Sequence, residues 1–209
     1  RLKAIGLRPI NNVVDVTNFV LHEYGQPLHA FDADKIRGGK VVVKKLAEGT
    51  AFKTLDEKEV KLSADDLMIC DAEGGMCIAG VFGGAESGVT PLTKNIFLES
   101  ACFSPIGIRK TGTRLNLRTD AATHFEKGTD PNITVEALKR AAILITEICG
   151  GEVSSEITDI YPNPVEGWRF IVSYERMLKL AGFPIEKETI KQILTHLEIK
   201  IEKEEGDEL

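Results

Sequence analysis

Residues 96–102 read Ile-Phe-Leu-Glu-Ser-Ala-Cys, an apolar run that a single acid interrupts. A short run of this composition predicts a β-strand. Because side chains of a strand alternate between its two faces, Glu99 would share a face with Phe97 and Ala101. Such a carboxylate either points outward into solvent or forms the polar floor of a pocket, and both interpretations stay open on these residues alone.

Similar β-type runs precede this one throughout residues 40–102, and turn residues such as those at 56–58 and 73–75 separate them. The runs are residues 41–43, 51–52, 60–62, 67–70 and 76–82. Together with the run at 96–102 they predict a β-rich region of about six strands.

Helices are predicted on both sides of the β-rich region. Residues 10–24 have a broad apolar face, and Gly25 is a natural stop. The Ser-Pro pair at 104–105 and the Asp-Pro pair at 130–131 each combine an N-cap residue with proline at the first helical position. Helices ending at about Leu115 and at the glycines 150–151 are therefore expected.

A domain boundary is predicted at Pro162-Asn163-Pro164, which divides the chain into residues 1–162 and 163–209. A strand at 153–160 would close the first part. The second part has the order strand, helix, helix, strand, at 169–172, 174–180, 185–197 and 199–201. The acidic C-terminal residues are expected to be solvated and disordered, and the overall class is α+β.

The composition is that of a globular protein, with 43% hydrophobic and 28% charged residues in 209. No stretch approaches the ~20 apolar residues of a membrane span. The first residue is Arg1, and we expect an internal piece of a longer protein. The last nine residues hold five acids and one lysine, which is −4 of the net charge of −6. The remainder is nearly neutral, so a nucleic-acid partner would be touched only at one end.

The cysteines, at positions 70, 77, 102 and 149, form no C-x-x-C pair. Each lies in an apolar segment, which predicts buried, reduced thiols, no metal site and a cytoplasmic location.

Three enzyme classes lack a local motif. His22-Glu23 would begin a zinc-protease motif, but Gln26 stands where the second histidine is required. The glycine run 80–84 lacks the order of a nucleotide-binding loop, and Ser87 is not in a nucleophile elbow. Metalloprotease, nucleotide-binding and serine-hydrolase activities have no support here.

Five segments in order resemble the beta chain of bacterial phenylalanyl-tRNA synthetases. They are GLRPINNVVDVTN (6–18), GQPLHAFD (25–32), GVFGG (80–84), LESA (98–101) and TDA (119–121) leading to Phe125-Glu126. The resemblance covers residues 1–162 as the editing module, which comprises the third and fourth domains of that subunit. It continues into a truncated small α+β domain at 163–209.

The resemblance implies a three-layer β/β/α fold with a β-sandwich of unusual topology. It also implies post-transfer editing, the hydrolysis of tyrosine mischarged onto tRNA(Phe). The expected partners are the 3′ end of tRNA(Phe) and the alpha subunit of a heterotetramer. ATP and magnesium belong to the alpha subunit, so no cofactor is expected in this chain.

By the same resemblance Glu99 recognises the tyrosine hydroxyl. As an ionised carboxylate, Glu99 would accept a hydrogen bond from the phenol O–H. Gly83 and its neighbours Gly80 and Gly84 wall the pocket, and Ala121 is another pocket position. The alternative for the glycines is a tight turn, which is compatible with a pocket wall.

His29 matches a histidine that faces the ester and helps to position the attacking water. Arg8, Thr17 and Asn18 match residues near the tRNA end. From the residues alone, His29 could be structural, Arg8 a surface cation, and Thr17 and Asn18 part of a solvated helix face. No serine or cysteine has a base beside it in the sequence, so direct attack by a positioned water is the hypothesis.

A non-catalytic tRNA-docking module, or an interaction domain of a tRNA-modifying enzyme, is the main alternative. A free-standing hydrolase that edits in trans is a further one.

Overall fold

The structure is a computed structural model that describes residues 1–209, and it forms two compact units, Arg1–Ile160 and Tyr161–Leu209. Eight strands are present: β1 (Leu28–Asp32), β2 (Val42–Lys45), β3 (Ala51–Lys53), β4 (Glu59–Lys61), β5 (Leu67–Cys70), β6 (Gly75–Ile78), β7 (Phe82–Gly83) and β8 (Ile96–Ser100). The helices are α1 (Asn12–Tyr24), α2 (Pro105–Leu115), α3 (Asp120–Lys127), α4 (Thr134–Cys149), α5 (Tyr174–Ala181) and α6 (Lys187–His196). Helices combined with antiparallel sheets confirm the α+β class.

Side-chain caps define the start of the main helices. The Asn11 side chain accepts a hydrogen bond from the Val14 N–H, so α1 begins at Asn12 rather than at residue 10. Ser104 caps α2 in the same way, and Gly25 ends α1 in the left-handed conformation. The helix expected after residue 131 starts with a short 3₁₀ turn and becomes α-helical at Thr134.

The strands form a four-stranded antiparallel sheet in the order β2-β5-β6-β7 and two separate pairs, β3-β4 and β1-β8. The expected single strand at 76–82 is divided into β6 and β7, because Gly80 lies between them at φ +66°. Strand β1 and helix α3 were not predicted. Each is short, and its stability comes from partners distant in the chain.

The β1–β8 pair lies between two hydrophobic clusters. Leu28 and Leu98 pack with Val16 and Val20 of α1, in a cluster completed by alanines of α4. Phe31 is fully buried in the larger cluster, which also contains β5 and β6. Since alternate side chains of a strand point to opposite faces, one narrow ribbon supplies both clusters.

The strand predicted at 153–160 is wrong, because no strand forms there. Its β-type side chains are exposed, with Ile160 at 83% and Val153 at 68%. A strand requires a neighbour for its backbone groups, and these residues have none.

The second unit contains α5 and α6, as predicted, but the strands expected at 169–172 and 199–201 are absent. Instead, Val172 and Leu209 exchange backbone hydrogen bonds of 3.0 and 2.9 Å. The acidic tail is therefore not disordered: Asp207 accepts hydrogen bonds from Ser173 (2.6 Å) and from the backbone of Glu175 (3.2 Å). Asp207 thus lies against the first turn of α5, and its carboxylate bonds to a backbone N–H that lacks a partner within the helix.

All four cysteines are free, but only Cys70 and Cys77 are buried. The expectation of burial is wrong for Cys102 and Cys149, which lie at an exposed strand–helix junction and at an exposed helix end. No helix is both long and apolar enough to cross a membrane.

Asp71 fastens the β5–β6 turn. Its buried carboxylate accepts hydrogen bonds from the Arg37 side chain (2.7 Å) and from the backbone of Glu73 (2.9 Å) and Gly74 (2.8 Å). Burial alone would raise the pKa of Asp71, but these donors outweigh it and hold the pKa well below its usual range.

We expect Asp71→Asn to lower the free energy of unfolding at pH 7 by about 2 kcal/mol, because a charge-assisted network is lost. A depressed pKa stabilises the fold above the unfolded pKa of about 3.9, so the difference from wild type should shrink below about pH 4. Urea unfolding across pH measures this. Asp65→Asn, at a side chain 88% exposed, is the control. An equal loss in both variants would contradict the prediction.

Candidate functional site

His29 and Glu99 lie directly opposite each other across the β1–β8 pair. Strand alternation places both on the same face of the ribbon as Phe31 and Phe97. The His29 ring meets the Phe31 ring edge-on, with 4.4 Å between centroids, and Phe31 lies 6.0 Å from Phe97. Two residues separated by 70 positions are thus held together against an aromatic surface.

Neither of these two side chains has a hydrogen-bond partner at its buried atom. Both residues are half-buried, yet His29 Nε2 and Glu99 Oε2 are fully enclosed and unpaired. An unsatisfied buried polar group costs about 1–3 kcal/mol. Two of them on directly paired residues suggest that a ligand supplies the missing partners.

Burial also sets the charge of the pair. It lowers the pKa of His29 to about 4 and raises the pKa of Glu99 to about 8. At pH 7 burial therefore favours a neutral imidazole and a protonated carboxyl group. The hypothesis of an ionised Glu99 stays a prediction, and burial opposes it because no cation lies beside the carboxyl group.

Gly83 lies against His29. A Cβ atom at Gly83 would stand 3.2 Å from His29 Cε1, so a side chain there would press on the imidazole. Gly83 pairs with Cys77 of β6, and the pKa of Cys77 is raised by its burial and by the neighbouring Glu99. Strands β6 and β7 therefore lie beside His29 and Glu99.

The other two glycines of the run are fixed by core packing. A Cβ at Gly80 would lie 2.7 Å from Phe103, and one at Gly84 would lie 2.4 Å from the Met76 carbonyl oxygen. Close packing accounts for glycine at both positions, and their part in a pocket stays a prediction.

Ala121 lies in the first turn of α3, partly buried against the large cluster. The preceding Thr119 caps this helix and donates a hydrogen bond of 3.0 Å to the Val81 carbonyl, two residues before Gly83. The start of α3 is thereby tied to the turn between β6 and β7. Ala121 as a pocket residue stays a prediction.

The residues expected near the tRNA end are not bonded to His29 or Glu99. Arg8 is exposed in the loop before α1 and forms no ion pair or hydrogen bond. Asn18 is half-buried. Thr17 is only 7% exposed, and its hydroxyl bonds to the Val14 carbonyl at 2.9 Å. The interpretation of Thr17 as part of a solvated helix face is therefore wrong, and the functional role of all three stays a prediction.

Gln26 was not selected from the sequence, yet it is fully buried between α1 and β1. Its Nε2 donates to the carbonyls of Pro27 (3.0 Å) and Ala101 (2.7 Å), while its Oε1 has no partner. Two hydrogen bonds contribute about 1 kcal/mol each, and the unpaired oxygen costs about 1–3 kcal/mol. The net stabilisation is close to zero. A polar residue between a helix stop and a proline gives no sequence signal of burial.

No group of three or more histidine, cysteine or acidic side chains is placed to hold a metal. A groove of about 700 Å³ lies elsewhere, between the N-terminal turn, α1 and α4, and is lined by residues such as Phe19 and Arg140. It is wide open to solvent, and Arg140 already pairs with Glu23 at 2.8 Å. The unpaired buried groups of His29 and Glu99 are therefore a better guide to a functional site than the volume of this groove.

The fold and site define an α+β domain in which one carboxyl and one imidazole group lie side by side, each with a buried atom that lacks a hydrogen-bond partner. Residues 1–150 match the family model described as the B3/4 domain, and the chain belongs to that family.

The chain is similar to proteins named phenylalanine–tRNA ligase beta subunit. It is 54% identical to that of Bacteroides fragilis over 209 residues, which are 100% of this chain and 26% of the relative. It is 56% identical to that of Porphyromonas gingivalis over 98% of this chain and 25% of the relative. The resemblance predicted from the sequence is confirmed, and the chain spans about a quarter of the length of these curated relatives.

The fold is similar to a crystal structure of an N-terminal fragment of the phenylalanyl-tRNA synthetase beta subunit from Pyrococcus horikoshii. The alignment covers 87% of this chain and 54% of the chain of that fragment. The TM-score is 0.47 and the identity 17%, too low to define the topology.

We expect Glu99→Gln to stabilise the protein at high pH. A raised pKa means that the folded state resists ionisation, so wild type loses stability as pH rises from the unfolded value of about 4.3 through about 8. The amide cannot ionise. Its advantage should reach about 5 kcal/mol at pH 9, since the folded and unfolded pKa values differ by about 3.7 and each pKa unit is about 1.36 kcal/mol.

Urea unfolding between pH 4 and 9 measures this advantage. Glu147→Gln, at an exposed position of α4, is the matched control and should show little change with pH. A constant difference between Glu99→Gln and wild type would show that Glu99 is already ionised in the folded protein.

Proposed function

We propose that this chain is part of the beta subunit of a phenylalanine–tRNA ligase and removes tyrosine mischarged onto tRNA(Phe). The observation that carries the proposal is the half-buried His29–Glu99 pair, in which each side chain has a buried polar atom without a partner. The names of the relatives support the choice of substrate.

The finer architecture belongs to the same proposal. Residues 1–162 would be the third and fourth domains of the beta subunit, and 163–209 part of the next domain. Packing of the β1–β8 ribbon between α-helices on one face and β-strands on the other supports a three-layer β/β/α arrangement with an unusual β-sandwich.

The need for such a site follows from the difference between the two amino acids. Tyrosine is phenylalanine with one added hydroxyl, and an apolar pocket rejects such an analogue only weakly. A second pocket that hydrogen-bonds the hydroxyl discriminates far more strongly, by up to about 10⁴–10⁵, because phenylalanine would leave its polar groups unpaired.

Glu99 is the proposed reader of this hydroxyl. Its buried Oε2 has no partner in the protein, so a tyrosine hydroxyl would complete its hydrogen bonding. Phenylalanine would offer only carbon and would also exclude water from the carboxyl group. A carboxyl with a pKa of about 8 can both donate and accept at neutral pH, which suits a hydroxyl partner.

Hydrolysis is proposed to use a water molecule that the site holds in place. The water oxygen bonds to the ester carbonyl carbon, the bond from that carbon to the ribose oxygen breaks, and a water proton moves to the ribose oxygen. Free tyrosine and uncharged tRNA result. The neutral His29 imidazole can orient this water, although a pKa of about 4 makes it a weak base. Placement then accounts for much of the rate.

The remaining roles follow the sequence expectations. Gly83 would wall the pocket beside His29, with Gly80, Gly84 and Ala121 as further pocket positions. Arg8, Thr17 and Asn18 would lie towards the tRNA end. The partners would be the 3′ end of tRNA(Phe) and an alpha subunit that holds ATP and magnesium, in a cytoplasmic heterotetramer, and this chain would need no cofactor of its own.

We expect Glu99→Ala to abolish the preference for the tyrosyl ester. Deacylation of Tyr-tRNA(Phe) and Phe-tRNA(Phe) by the complete synthetase measures it as a ratio of kcat/KM. The ratio should fall by about 10- to 100-fold, the value of one lost hydrogen bond to a buried carboxyl. Glu147→Ala is the control. If wild type hydrolyses neither ester, the module docks tRNA without editing, and the function proposed here is wrong.

We expect His29→Ala to slow deacylation by less than about 10²-fold. If His29 only orients the water, the other groups of the site still position the water and the ester in the variant. Single-turnover hydrolysis of Tyr-tRNA(Phe) measures the rate, with His22→Ala, an exposed histidine of α1, as the control. Complete loss of hydrolysis in a folded variant would make His29 an essential general base instead.

A further inference from the structure

Gln26 joins the two strands of the site at one end. Its side-chain amide donates to the Pro27 carbonyl, just before β1, and to the Ala101 carbonyl, just after β8. The last residues paired between these strands are Leu28 and Ser100. The Gln26 amide therefore clamps the ribbon immediately beyond its final pair.

The opposite end of the ribbon is fastened separately. There the Thr93 hydroxyl donates to the Asp32 carboxylate at 2.6 Å, and the Ala33 N–H donates to the Asn95 carbonyl at 2.9 Å. Between these ends lie only five residue pairs. In so short a ribbon, a shift of one residue would turn His29 or Glu99 to the opposite face.

The orientation of the Gln26 amide is fixed by its acceptors. A flipped amide would place Oε1 against two carbonyl oxygens, which repel it and cannot donate. Gln26 is fully buried, so in the observed orientation its Oε1 has neither a protein donor nor solvent to bond with. The gain from two hydrogen bonds and the cost of the unpaired oxygen are of similar size, so stability alone does not account for a glutamine here.

We propose that Gln26 is a positioning residue that holds His29 opposite Glu99 by clamping the end of the β1–β8 ribbon. The effect on editing rests on the function proposed above, whereas the effect on site geometry does not. No contact between Gln26 and the substrate is required.

The test compares Gln26→Met, which keeps the volume but removes the amide, with Ser100→Ala. Ser100 is at the same end of β8 and donates to the Thr134 carbonyl at 2.7 Å, so the control loses one hydrogen bond on the side of α4. The first readout is the ratio of kcat/KM for the tyrosyl and phenylalanyl esters with the complete synthetase. The second is the pH titration of the Glu99 carboxyl and His29 imidazole by NMR of this chain labelled with ¹³C.

For Gln26→Met we expect the tyrosine preference to fall by about tenfold, with both titration midpoints moving towards their ordinary values as water enters. The thermal midpoint should stay near that of wild type. Ser100→Ala should keep the preference and both titration midpoints of wild type.

Unchanged titrations and preference in Gln26→Met would overturn the proposal, as would equal changes in Ser100→Ala. If Gln26→Met does not fold, Gln26→Asn, which keeps an amide too short to reach Ala101, is measured in its place. Failure of both to fold would assign Gln26 to folding alone. If wild type spares the tyrosyl ester, the editing function fails, and the titrations by themselves decide the positioning role.

Discussion

The antiparallel pairing of β1 with β8 is the constraint on which the rest of the structure depends. One face of this ribbon supplies leucines to the cluster with α1 and α4, and the other supplies Phe31 to the cluster of the four-stranded sheet. The same alternation that separates these clusters brings His29 and Glu99 together. Packing and site geometry therefore follow from one register, and a change in that register would damage both.

Three acids of this fold differ in how their buried carboxylate oxygens are paired. Asp71 is bonded to Arg37 and to backbone N–H groups, and Asp66 accepts from Thr111 (2.8 Å) and the Ser63 N–H (2.8 Å) and pairs with Arg114. Glu99 has no such partner, and burial raises its pKa to about 8. The first two stabilise loops and helix contacts, whereas Glu99 lowers stability when ionised. Binding sites commonly retain such unfavourable groups.

Two glycines set how closely the chain packs around His29 and behind it. Gly83 keeps a side chain away from the His29 ring, and Gly80 lets the chain turn between β6 and β7 without striking Phe103. These glycines act at different distances from the site, although they lie in one short run. The close approach of the β7 backbone to the His29 ring thus depends on glycine at position 83.

The sequence alone determined the helices with clear caps and the β-rich character of residues 40–102, because these depend on local periodicity, capping residues and turn residues. It also carried the family resemblance that singled out Glu99 and His29. It failed for 153–160, 169–172 and 199–201, where β-type side chains have no strand beside them to bond with. It missed β1 and α3, whose partners are distant in the chain. Only the tertiary structure decided that His29 faces Glu99, that both are unpaired and shifted in pKa, and that Gln26 closes the ribbon, because pairing, burial and desolvation arise only when distant segments meet.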